Sequence, residues 1–164
     1  MNEGNRTDQP ELVALADSDV VARALFPPEW DERVQRGSPG CFKRNNTSVT
    51  RHTSLSFEQV VRYLKGDVEK PGSSVIVRAV GTVSIAEIKR LGLAYATKIH
   101  FQAWEKPTEK NPAHAELYPY LEATLKTHRK DVPRGLSSLI SKALDITLLT
   151  PAGEVEGRSP PVLD

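Results

Sequence analysis

The sequence predicts an α+β fold, a single small domain in which about four helices pack on one mixed β-sheet of about five strands. The chain has 164 residues, a length that suits one hydrophobic core. Runs of β-branched residues mark strands, and apolar residues at helical spacing mark helices. The two kinds of run do not alternate strictly, which argues against repeated strand–helix–strand units. We expect a mobile acidic segment over 1–10, the domain over 11–150 and a tail containing proline and glycine over 151–164.

The first elements are predicted from local patterns. Residues 16–26 carry apolar side chains at helical spacing and run into Pro27, so we expect a short helix there. Proline, glycine and asparagine are frequent over 27–46, which indicates a long irregular connection. The run 47–53 is rich in β-branched residues and predicts a polar, partly exposed strand.

The later elements are predicted from helix caps and from hydrophobic periodicity. Two capping-box patterns begin helices, and a glycine is expected to close each helix. The first helix runs from Ser56 to Gly66 and the second from Ser84 to Gly92. The remaining elements are predicted from apolar runs and helical spacing, and they are strands over 74–80, 98–104 and 146–149 and a helix over 134–144.

The formal net charge of +1 conceals separate blocks of charge. Residues 1–32 have a net charge of −6 and residues 145–164 of −3, whereas 33–57 have +5 and 124–144 have +4. The stretch 58–123 between the basic blocks is nearly balanced, at +1. One interpretation is an ordinary surface of mixed signs. The alternative is a site for phosphate or another anion that is assembled from both basic blocks.

Several functional classes lack their sequence signatures. The chain has no GxxxxGK[ST] loop, GxGxxG fingerprint, GxSxG elbow or HExxH helix, which disfavours NTPases, Rossmann dehydrogenases, α/β-hydrolases and zincins. No window is apolar enough for a membrane helix, and the acidic N-terminus does not resemble a secretory leader. We therefore expect a cytoplasmic protein that does not contact a membrane. A single cysteine, Cys41, excludes a disulfide framework within the chain, and we expect neither a metal nor a cofactor.

Three arginines are the candidate anion-binding residues. Arg51 lies in the polar run 47–53, where a fixed guanidinium group suits a phosphate or a carboxylate. Arg44 belongs to the same basic block as Arg51. Arg134 stands at a predicted helix start, where free backbone amides attract anions.

Three further residues are candidates for acid–base chemistry. His114 and Glu116 lie in the segment 111–120, whose prolines leave its conformation undecided. If this segment is extended, the two side chains point the same way, and the carboxylate orients the imidazole. If it is helical, they diverge by about 200° and the hypothesis fails. His52 is the other candidate proton carrier, and a catalytic site requires all three residues to meet Arg51 in one concave site.

Two classes of function agree with these observations. The first is a small binding or accessory protein that acts through a protein partner or an anionic ligand. It predicts an exposed apolar or charged patch, with Trp30 or Trp104 as a natural anchor. The second is a small enzyme that acts on a nucleotide, a nucleic acid or another phosphorylated substrate. In the enzyme, arginines would hold the anion while the histidines and Glu116 move protons.

Overall fold

The computed structural model describes residues 12–127 and 131–159. Within these ranges the chain forms nine strands and three helices. In chain order they are β1 (Val20–Leu25), β2 (Trp30–Asp31), β3 (Arg36–Gly37), β4 (Thr47–Arg51), α1 (Phe57–Val68), β5 (Ala79–Ser84), α2 (Ile85–Ala94), β6 (His100–Glu105), β7 (His114–Tyr120), α3 (Arg134–Ala143), β8 (Asp145–Leu149) and β9 (Val155–Arg158). The predicted mobile segment 1–10 lies outside the described residues.

Seven strands form one sheet in the order β6-β7-β4-β1-β5-β8-β9, and β2 pairs with β3 in a separate two-stranded sheet. Every neighbouring pair in the large sheet is antiparallel. The prediction of one mixed sheet with about five strands and about four helices is therefore wrong, although the chain is a small α+β domain. The described residues contain a larger, purely antiparallel sheet and one helix fewer.

The segment 16–26 accounts for the missing helix. Its residues Val20–Leu25 form β1, which pairs along its whole length with β5 and also with β4. As a central strand it buries side chains on both faces, so its apolar residues do not alternate simply with polar ones. A short apolar run of this kind resembles a buried helix in periodicity, which explains the wrong prediction.

Other predicted elements are confirmed, with shifted ends. Helix α1 has the predicted capping box between Ser56 and Gln59, but it continues past Gly66. Helix α2 likewise continues past Gly92. There the backbone oxygen of Ile99 would lie 2.5 Å from a Cβ on Gly92, so close packing, not a helix end, requires glycine.

The sheet carries helices on both faces. Helix α1 covers one face, and its buried side chains join those of β1, β5 and β8 in one apolar cluster, namely Ala22, Ala24, Val60, Val61, Leu64, Val77, Val80 and Leu149. Helices α2 and α3 cover the other face together with residues 30–42. The larger cluster on that side includes Val21, Leu25, Trp30, Phe42, Ile85, Ile88, Phe101, Leu136 and Ile140.

One end of the sheet, which we call the polar end, collects three of the six candidate residues, Arg51, His52 and His114. Here β4, β5, β6 and β9 finish, β1, β7 and β8 begin, and both α1 and α2 start. The polar end is defined by Asp19, Arg51, His52, Glu105, His114, Asp145 and Arg158.

Candidate functional site

Arg51 lies between two carboxylates at the polar end. Its Nε donates to Oδ1 of Asp19 at 2.9 Å, and its Nη1 lies 3.4 Å from Oε1 of Glu105. Burial by itself would raise the pKa of Asp19. Hydrogen bonds from Thr53, from the N–H of Ala16 and from Arg51 outweigh that effect and lower it. The guanidinium predicted to hold an external anion is thus already paired with anions of the chain itself.

Arg51 and His114 line one cleft of about 250 Å³, with Glu105 beside them. The segment that carries His114 is the extended strand β7, as the hypothesis of an acid–base pair requires. Nδ1 of His114 lies 2.8 Å from the backbone oxygen of Lys106. A proton on Nδ1 makes that hydrogen bond and leaves Nε2 as the basic nitrogen of the neutral ring.

Glu116 shares the strand face with His114 but has a different partner. It accepts a hydrogen bond of 2.5 Å from the hydroxyl of Tyr118. Burial, together with this bond and the charge of Glu116, raises the pKa of Tyr118 to about 12. Glu116 therefore holds a neutral tyrosine, and it is not among the residues that line the cleft of His114.

His52 lines a separate cleft of about 400 Å³, together with Arg36, Asp145 and Arg158. Its Nδ1 is buried and has no hydrogen-bond partner among the residues that the structure describes. The ring of Phe57 packs edge-on against it, with the centroids 6.2 Å apart. Arg51, His52, His114 and Glu116 are thus brought to neighbouring strands, but they do not meet in one concave site.

Arg44 and Arg134 lie where the two basic blocks meet. The N–H of Val132 donates to the backbone oxygen of Lys43 at 2.9 Å, and Arg44 pairs with Asp131 in an isolated β-bridge. Helix α3 begins next to this contact, and its first turn has no side-chain cap. We call the exposed side chains of Lys43, Arg44 and Arg134 the basic surface.

The two predicted aromatic anchors donate hydrogen bonds within the chain, and the cysteine is buried. Trp30 is buried, and its indole N–H donates to Glu32. The indole N–H of Trp104 donates to the hydroxyl of Tyr120 at 2.8 Å. Cys41 is buried, and burial raises the pKa of its thiol, which disfavours the reactive thiolate.

A groove that the sequence patterns did not indicate runs between α1 and the turn that joins β8 to β9. It has a volume of about 730 Å³, and its apolar wall consists of Phe57, Val61, Ala152 and Val155. Val155 is 58% exposed, the highest value among the large apolar side chains that the structure describes. The sequence gives only a weak indication of this groove. Val155 is a lone apolar residue between two glutamates, in a segment predicted as a tail.

Within the described ranges, no three His, Cys, Asp or Glu side chains come together as metal ligands. None of the three helices there has the length and apolar composition needed to cross a bilayer. Comparisons of the chain with protein-family models, with curated proteins and with solved structures give no match.

Proposed function

We propose that this chain is a binding or accessory protein that takes an extended segment of a partner protein into the groove between α1 and β9. The observation that carries the proposal is an exposed edge strand that borders an apolar groove. Strand addition to such an edge is a common mode of peptide recognition: backbone hydrogen bonds supply affinity, and side-chain pockets supply specificity.

The backbone of β9 supports this mode of binding. β9 is the last strand in the sheet order, and its residues Val155, Glu156 and Arg158 are exposed. Arg158 pairs with Thr147, whereas the next residue, Ser159, donates its N–H to the oxygen of Ile146. Because hydrogen-bonding directions alternate along an antiparallel strand, the N–H and C=O of Arg158 point away from β8. A partner strand can bind both groups.

The charges inside the groove support a mainly apolar contact. Lys65 pairs with Glu69 at 2.6 Å and also donates to the oxygen of Pro151 at 3.1 Å. Arg62 lies 3.7 Å from Glu58, one helical turn earlier in α1. These cations already have partners, so Phe57 and Val155 provide the apolar surface that gains most from being covered.

The test is binding of peptides that are selected against the full chain from a displayed random library. We expect Val155→Asp to weaken the selected peptides by at least about tenfold, because it places a charge in an apolar contact. Val13→Asp is the matched control, since Val13 is 52% exposed and lies against β6 at the opposite edge of the sheet. If no peptide is selected, or if Val155→Asp binds as well as Val13→Asp, the proposal is wrong.

A second candidate function is binding of a phosphorylated ligand or a nucleic acid on the basic surface. The contact between Lys43 and Val132 favours this function, because it joins the two basic blocks through residues that are 89 positions apart in the chain. Short RNA and DNA should then bind with an affinity that falls as salt rises, and the double variant Arg44→Ala/Arg134→Ala should bind more weakly. No binding, or an affinity that does not change with salt, removes this candidate. In either function we propose the cytoplasm as the site of action.

A further inference from the structure

The groove and the cleft of His52 are adjacent, because Phe57 lines both spaces. The register of β9 against β8 shifts by one residue between Gly157 and Val155. Val155 and Arg158 therefore lie on the same face of β9, since their partners Leu149 and Thr147 are alternate residues of β8. Leu149 belongs to the apolar cluster under α1, so this is the face that adjoins the groove. A chain extended along β9 therefore meets an apolar wall first and a guanidinium group next.

The charge at the Arg158 end differs from that in the groove. Within 12–127 and 131–159, Arg158 makes no ion pair, and its side chain is exposed. Among the described residues that line this cleft, Asp145 supplies the one carboxylate, and it makes no ion pair with Arg158 there. This end of the path therefore complements an anion, whereas the wall at Val155 complements an apolar side chain.

We propose that the partner segment carries an acidic side chain, aspartate or glutamate, opposite Arg158, and this inference rests on the groove being the binding site. A residue paired with Arg158 binds its N–H and C=O through the backbone and presents its own side chain on the same face. A carboxylate there forms a charge-assisted hydrogen bond with the guanidinium group. The residues that enter the apolar groove are then at alternate positions along the same segment.

The experiment extends the library selection. The selected peptides should share an aspartate or glutamate at one fixed position, with apolar residues at alternate positions from it. Replacing that acid by its amide in a synthetic peptide should weaken binding to the full chain by about tenfold. Arg158→Glu should reverse the preference, so that selection against this variant yields lysine or arginine at the same position. Arg90→Glu, at an exposed arginine of α2 away from the groove, should leave the acidic preference unchanged.

The outcomes separate this inference from the proposed function. If Val155→Asp abolishes binding while Arg158→Glu keeps the same acidic preference, the acidic partner residue is wrong and the groove remains the binding site. Peptides that bind only when phosphorylated at this position, and not with aspartate or glutamate there, also overturn the inference. If no selected peptide depends on Val155, the proposed function itself is wrong.

Discussion

At the scale of single residues, Asp19 shows how a buried charge is accommodated. Its side chain is only 4% exposed, but Oδ1 accepts hydrogen bonds from Arg51 and Thr53, and Oδ2 accepts one from the N–H of Ala16. These donors hold the pKa of Asp19 below its ordinary value despite burial. The carboxylate therefore stabilises the start of β1 and the end of β4 in its charged form.

The pH dependence of stability should report this arrangement. Because the folded protein binds the proton of Asp19 less readily than the unfolded chain, the stabilisation is fully present above the ordinary pKa of 3.8. It is lost as the pH falls through the lowered pKa of the folded state. We expect Asp19→Asn to reduce the free energy of unfolding by about 2 kcal/mol near neutral pH, with a difference that shrinks in acid. Urea unfolding over a pH series measures both effects.

Asp145→Asn is the control for that series, because Asp145 is exposed. It should change the stability little at any pH. A difference between wild type and Asp19→Asn that stays constant from neutral pH into acid would contradict the assignment.

The acid–base candidates show that residue spacing predicts a shared strand face but not the partners of each side chain. The i, i+2 spacing of His114 and Glu116 places them on one face of a strand, and the extended conformation of β7 agrees with that condition. Spacing along one strand does not specify which neighbour each side chain contacts. Glu116 accepts a hydrogen bond from Tyr118 on its own strand, whereas His114 lies against the backbone oxygen of Lys106, which follows β6.

At the scale of elements, the starts of α1 and α2 were predictable and their ends were not. Ser56 and Ser84 cap α1 and α2 through hydrogen bonds within one turn, so the local sequence contains the whole interaction. Gly66 and Gly92 were predicted to end these helices, but both lie inside them. Gly66 has open space beside it and Gly92 is tightly packed, a difference that depends on tertiary structure.

Alanine at these two glycines should shift stability in opposite directions. A Cβ on Gly92 would lie 2.5 Å from the backbone oxygen of Ile99 and 2.8 Å from the ring of Phe101. We expect Gly92→Ala to lower the free energy of unfolding by about 2 kcal/mol. Nothing lies within 4 Å of a Cβ on Gly66, so Gly66→Ala should raise it by about 1 kcal/mol. Thermal unfolding followed by circular dichroism tests both, and equal shifts would refute the packing argument.

At the scale of the whole molecule, Asn111 connects the helix layer to the sheet. Its fully buried side chain donates to Oγ1 of Thr50 in β4 at 2.9 Å and to Oδ2 of Asp67 in α1 at 2.8 Å. Its Oδ1 accepts the N–H of Ala113 at 3.1 Å. The one side chain therefore holds α1, β4 and the start of β7 together.

Removing that side chain should loosen the contact between the layers. Asn111→Ala leaves three buried or partly buried polar groups without their partner, and we expect the free energy of unfolding to fall by about 3 kcal/mol. Amide hydrogen exchange should accelerate most in the last turn of α1, which contains Asp67. Asn45→Ala, at an exposed position, should have little effect. A loss below about 1 kcal/mol for Asn111→Ala would show that the network is dispensable.

The sequence by itself determined the α+β class, the caps of two helices and the separation of charge into blocks, because each depends on residues that are close in the chain. The tertiary structure decided that 20–25 is a central strand, since only pairing with β4 and β5 distinguishes it from a helix. It also decided that Arg51 is paired internally. The groove beside β9 lies between residues that are about 90 positions apart in the chain. Contacts over that distance depend on how the layers pack, so local sequence patterns do not predict them.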